Sequence, residues 1–202
     1  MKNYIKIGKQ RIELTDDQVE RLRESLGIAG VRLADIAVSG TFHIGKHEFV
    51  VLEQSGDTTA VIRKDLLHSS MTFGSNNLYD GSKVDKACNL FAEEIAAAVG
   101  SENLVEHTVD LTSDDGLKDY GKVKRKVSLL TTDLYRRYVD ALDAHKTDKW
   151  WWLATPHSTK RHENDSWVKC VAPSGYFSYG NFRGDFGVRP FCILNSNIFV
   201  SK

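Results

Sequence analysis

Residues 150–175 read WWWLATPHSTKRHENDSWVKCVAPSG. Three consecutive tryptophans run through Leu-Ala-Thr to Pro156, and ten polar or charged residues follow before the fourth tryptophan, Trp167. Successive side chains of a strand leave on opposite faces, so Trp150 and Trp152 share one face and Trp151 takes the other. At least one of those faces belongs in a core, because aromatic side chains dominate core energetics. Residues 150–154 are therefore read as a core strand ended by Thr155-Pro156. The polar run becomes a surface loop held up by a rigid frame.

Downstream, residues 167–172 alternate, with Val168, Cys170 and Ala172 on one face and Trp167, Lys169 and Val171 on the other. Ala172-Pro-Ser-Gly175 carries Pro and Gly where a type I turn wants them. Residues 176–179 then return as a hairpin partner, and 188–194 form a last strand. Arg189 lies inside that apolar strand, so its guanidinium must be buried and paired as a structural anchor. Residues 150–202 hold all four Trp, all three Pro and 11 of the 20 aromatics, which sets this quarter of the chain apart.

Upstream, YIKI and RIEL around Gly8 form a hairpin, and Thr15-Asp-Asp-Gln18 is a capping box. A helix follows with Val19, Leu22 and Leu26 on one face and Gly27 at its end. Residues 1–30 are thus a small appendage, and 31–202 are the main domain. Runs at 41–44, 47–54 and 58–63 make an antiparallel meander, with turns at Gly45-Lys46 and Ser55-Gly56-Asp57. Residues 69–80 read as a polar loop. A helix spans 82–99, with Val84, Ala87, Cys88, Phe91, Ile95 and Val99 on one stripe. Strands at 104–110 and 127–130 flank a turn-rich acidic loop, and a second core helix runs from 131 to 144 with Leu134, Tyr138 and Leu142 on one face. The sum is an α+β fold: two helices, short antiparallel strands and long loops.

Twenty-seven basic residues balance 27 acidic ones. A net charge of zero argues against a nucleic acid or an anionic membrane as the main partner. No apolar run reaches about 18 residues, so no membrane insertion is expected. MKNYIKIGKQRIEL has no continuous apolar stretch and is not a secretory signal, which places the chain in the cytoplasm as synthesised. Three cysteines without a CxxC pair favour reduced thiols.

Catalytic and metal signatures are missing. There is no GxSxG, GxGxxG or P-loop, and His157 and His162 lack zinc-ligand spacing, so they read as solvated loop residues. Asp110, Asp114, Asp115 and Asp119 have the composition of a calcium loop without its order, and read as solvated turn formers. Cys88 and Cys170 sit at core positions. No metal and no cofactor is expected.

WWWLATP, a polar loop, VKCVAPSGYFSYGN and FGVRPFCIL together resemble a bacterial and phage family. Its C-type-lectin-like fold belongs to the formylglycine-generating-enzyme-like branch, which includes the variable proteins of diversity-generating retroelements. The likeness covers about residues 150–202, and the helix segment with Tyr79, Ser82, Val84, Asn89 and Phe91 fits it as well. Ala154 departs from it, because the family more often has arginine there. The resemblance implies a C-type-lectin-like fold that displays a diversifiable surface within 157–190. Trp150, Trp151, Trp152 and Arg189 would be frame. Lys160, Arg161, His162, Asn164, Asp165, Trp167, Lys169, Tyr176, Ser178, Tyr179, Asn181, Arg183 and Asp185 would be the displayed, ligand-binding face. Its Tyr, Ser, Asn, Trp and Arg content matches that of antibody paratopes. The implied partner is a protein or cell-surface ligand, with residues 1–30 serving virion attachment or self-association. The alternative is an enzyme or enzyme remnant on the same fold that holds a small ligand.

Overall fold

A computed structural model describes residues 3–7, 10–25 and 30–202. In chain order the elements begin with β1 (Asn3–Ile7), β2 (Gln10–Leu14), α1 (Asp16–Ser25), β3 (Val31–Arg32), β4 (Thr41–Ile44), β5 (His47–Ser55), β6 (Thr58–Arg63), β7 (His68–Thr72) and α2 (Lys83–Val99). The middle of the chain adds β8 (Leu104–Val105), β9 (His107–Asp110), β10 (Lys122–Arg125), β11 (Val127–Ser128), α3 (Thr132–Arg137) and α4 (Val139–Asp143). The last quarter gives β12 (Trp151–Pro156), β13 (Trp167–Val171), β14 (Phe177–Asn181), β15 (Asp185–Val188), β16 (Phe191–Asn195) and β17 (Phe199–Val200).

β1 and β2 pair as the expected hairpin, and Gln18 N–H donates to Thr15 Oγ1 at 3.2 Å while Thr15 N–H donates to Gln18 Oε1 at 2.9 Å. This reciprocal cap opens α1. Gly8, Leu26 and Gly27 lie outside the described residues.

Two sheets organise the rest. The first has the order β11-β16-β6-β5-β4, with β8 also on β16; the second runs β14-β13-β12-β15-β7. Alternation along the central strands gives β5, β6 and β12 apolar side chains on both faces. Phe49 and Val51 of β5 join Val61, Cys192, Trp152 and Val168 in one core, together with the apolar stripe of α2. Val50 and Leu52 join Ile62, Phe191, Trp151 and Leu153 in a second core, under Tyr135 of α3, Leu142 of α4 and Tyr138 between them. The tryptophan run therefore feeds both cores. Trp152 closes its face by donating from Nε1 to Met71 O at 2.8 Å.

The expected α+β, C-type-lectin-like, two-helix fold is corrected. Strand accounts for 39% of the chain against 21% helix, so β sheet dominates. Three local reasons are visible. Residues 69–72, read as the start of a polar loop, belong to a strand paired to β15, and Lys122, read as the end of the turn-rich loop, opens a strand paired to β9. The expected helix 131–144 divides into α3 and α4 at Tyr138, whose φ of −107° and ψ of 15° leave helical values while its ring stacks on Phe191. The expected strand 104–110 divides as well, β8 pairing with β16 and β9 with β10.

The expected last strand 188–194 changes sheet part-way. β15 lies in the second sheet and β16 in the first, with Arg189-Pro190 between them. Arg189 is 1% exposed and has its guanidinium over the Trp151 ring. It donates to three backbone carbonyls: Nε to Arg63 O at 2.9 Å, and Nη2 to Lys64 O at 3.0 Å and His145 O at 2.8 Å. Burial pushes this guanidinium down to about 10. The anchor read from the sequence is there, and its partners are carbonyls at the joint between the sheets.

Candidate functional site

β12, β13 and β14 form an antiparallel ribbon in which Lys169 faces Tyr179 and Trp167 faces Asn181 across the β13–β14 register. The period of two puts Phe177, Tyr179 and Lys169 on one side. Tyr179 stacks on His157 with ring centroids 4.6 Å apart and meets Trp167 edge-on at 5.5 Å. Trp167 and Tyr179 keep 38% and 51% of their surface exposed. Lys169 departs from its expected place on the displayed face: it is 5% exposed. Its ammonium lies over the Phe177 ring at 4.9 Å and donates to Asp114 Oδ2 at 3.1 Å. The long apolar stem is covered, and the charge meets a carboxylate that arrives from the acidic loop.

The polar run 157–166 is tied down at its base and along its length. His157 N–H donates to Trp167 O at 2.8 Å. Buried Asn77 donates from Nδ2 to Ser158 O at 2.9 Å and to Trp167 O at 3.0 Å. Thr159 caps a short 3-10 turn, Lys160–His162, which ends at Glu163 in the left-handed region.

The acidic loop is corrected too: it is a clamp on this run. Asp115 Oδ2 accepts from Ser158 Oγ at 2.6 Å and lies 3.0 Å from His162 Nδ1. Asp119 accepts from Thr159 Oγ1 at 2.7 Å and from the Arg161 guanidinium. Burial alone would raise the Asp115 carboxyl, but hydrogen bonds from Ser113, Ser158 and His162 outweigh it and hold the group well below the usual carboxylate range.

The remaining candidates do not share one face. Lys160, Arg161, His162, Arg183 and Asp185 are exposed; Asn164, Asp165, Ser178 and Asn181 are half-buried. Tyr176, 59% exposed, packs edge-on against Trp150, which stacks on Phe186. Gly180 presses its backbone on Phe186 so closely that a Cβ would come within 2.3 Å of the ring. The Trp150–Phe186 side is thus the far side of the ribbon from Tyr179 and Lys169, and the expected single surface divides in two. His157 and Asp114 were missed as members of the near side. His157 continues the odd-numbered face of β12, a signal that was present; nothing local to residues 110–119 announces where Asp114 reaches.

Among the described residues no three His, Cys, Asp or Glu side chains group as a cation site, and no helix is long and apolar enough to cross a membrane. No family model, curated protein or solved structure matches the chain.

Proposed function

We propose that this chain is a binding module whose recognition surface combines Trp167 and Tyr179 with the tethered loop carrying Lys160, Arg161 and His162. The observation that carries this reading is the clamp: two carboxylates, Asp115 and Asp119, hold a loop whose outermost side chains remain exposed. Ordering a loop before the partner arrives removes part of the entropic cost of association. Exposed Trp, Tyr and Arg are the side chains that usually carry binding energy. The partner is a protein or cell-surface receptor. The likeness of the WWWLATP and FGVRPFCIL motifs to retroelement variable proteins supports a surface altered by diversification, which a near-copy of the coding segment beside a reverse-transcriptase gene would test.

An enzymatic reading finds little support in the thiols. Cys170 and Cys88 are buried, and burial pushes each up to about 12, far from the thiolate a nucleophile requires.

The test is an array of secreted and cell-surface proteins probed with the wild-type chain and with a Trp167→Ser/Tyr179→Ser/Arg161→Ser variant. A hit that the triple variant loses while its melting curve stays in place is the expected result. Hits that survive the triple change would place recognition elsewhere, and an array with no hit would end the proposal for this ligand class.

A further inference from the structure

Where the Arg189-Pro190 joint, α4 and the 172–175 turn meet, a small cavity of about 10 Å³ lies among Tyr135, Lys146, Trp151, Val171, Gly175 and Arg189. That is room for about one water-sized occupant. Its wall carries two cations, Arg189 and Lys146, and no carboxylate.

A guanidinium has five N–H donors. Three of those on Arg189 are used, by the carbonyls of Arg63, Lys64 and His145, and the two on Nη1 donate to nothing in the described chain. Nη1 is not sealed off, unlike Arg63 Nε. Buried donors are almost always matched, so these two call for an acceptor inside the cavity. The charge is uncompensated as well, since burial outweighs the attraction of Asp65 and pushes the group down. Carbonyl dipoles soften that cost, but only a negative charge cancels it.

Lys146 supplies the second positive charge. Its Cε lies against Gly175, where a Cβ would come within 3.1 Å, and its Nζ is 3.6 Å from Asp143 Oδ1. Asp143 is outside the lining and its side chain is 53% exposed, so solvent screens it. Size then selects the anion. A carboxylate, phosphate or sulfate has several heavy atoms and needs more than the space of one water, whereas a monatomic halide does not.

We propose that this cavity binds a chloride ion, held by Arg189 Nη1 and Lys146, which ties the joint between the sheets to the segment after α4. The site shares no residue with the recognition surface of Trp167, Tyr179 and the tethered loop, so either reading can fail alone.

Thermal melts of the full chain in sodium chloride and in sodium gluconate at equal ionic strength test it. Chloride should raise the melting temperature along a saturating curve, as a ligand of the folded state does. Gluconate, too large for the cavity, should not. Arg189 anchors the fold, so the variants spare it. Lys146→Gln should fold and need about tenfold more chloride for the same effect, the order of one lost charged hydrogen bond. Asp143→Asn removes the competing carboxylate and should leave the effect intact or strengthen it. Crystals soaked in sodium bromide should show an anomalous peak beside Arg189 Nη1. Equal melting temperatures in the two salts, a chloride effect that Lys146→Gln leaves unchanged, or bromide bound only elsewhere on the surface would each overturn the proposal.

Discussion

Lys169 Nζ lies 3.1 Å from Asp114 Oδ2, and this pair joins the central ribbon to the acidic loop. The lysine side chain is 7% exposed and the aspartate 23%. Removing the aspartate leaves a covered ammonium without its partner, the costly way to break such a pair. Asp114→Ala should therefore lose about 3 kcal/mol in urea unfolding, and Lys169→Met clearly less, since the methionine keeps the apolar stem over Phe177. Equal losses for the two variants would show that the pair is not dry enough to matter.

The clamp predicts a kinetic effect without a large thermodynamic one. Asp115→Ala/Asp119→Ala frees the Lys160-Arg161 turn, which is exposed and rich in trypsin sites. Cleavage there should accelerate while the melting temperature moves little, because surface hydrogen bonds and ion pairs contribute about 0–1 kcal/mol each. Limited trypsinolysis read by mass spectrometry checks this. An unchanged cleavage rate would mean that the carboxylates do not hold the loop.

The three tryptophans should respond unequally to alanine. Trp151 and Trp152 are fully enclosed in separate cores, and each should cost about 3–5 kcal/mol. Trp150 is half-buried at the rim against Tyr176 and Phe186, and should cost clearly less. Denaturant melts of the three single variants give the comparison.

Acid stability should depend on His107. Burial pushes its imidazole down to about 4 from an ordinary 6.5, while its Nε2 lies 2.9 Å from Ser128 Oγ. Between those two values the unfolded chain binds a proton that the folded chain refuses, so the stability present at neutral pH falls as pH drops from 6.5 towards 4. The loss has an upper bound of about 3 kcal/mol from this site. Asp110, held down to about 2 by Lys122 and Thr112, adds a second loss only below the ordinary carboxylate range near 3.8. His107→Gln should flatten the upper window and leave the lower one, as read from urea midpoints at pH 7, 5 and 3.

What the sequence made legible is what neighbours in the chain determine. The Thr15 cap, the 82–99 helix, the β4–β6 meander and the 172–175 turn all depend on residues a few positions apart. Arg189 was legible for another reason, since a charge between apolar neighbours has few alternatives to an anchor. The failures need distant partners. His68-Ser-Ser-Met-Thr72 has little strand character and becomes one because β15 offers it an edge. The 131–144 pattern is helical throughout, yet Tyr138 turns aside to donate to Glu53 at 2.9 Å on β5. Composition described the acidic loop as solvated, but its carboxylates are used by a segment about forty residues away.

The bond from His157 N–H to Trp167 O shuts the polar run at its neck, between two strands already paired in the sheet. With the neck and the clamped base fixed, residues added at the tip would answer to polymer statistics more than to the fold around them. Closing a flexible loop of twice the length costs only about 0.6 kcal/mol more. Residues inserted beyond the Lys160–His162 turn would lengthen the projecting tip without disturbing the tryptophans below, so the frame can carry tips of very different reach at nearly constant stability.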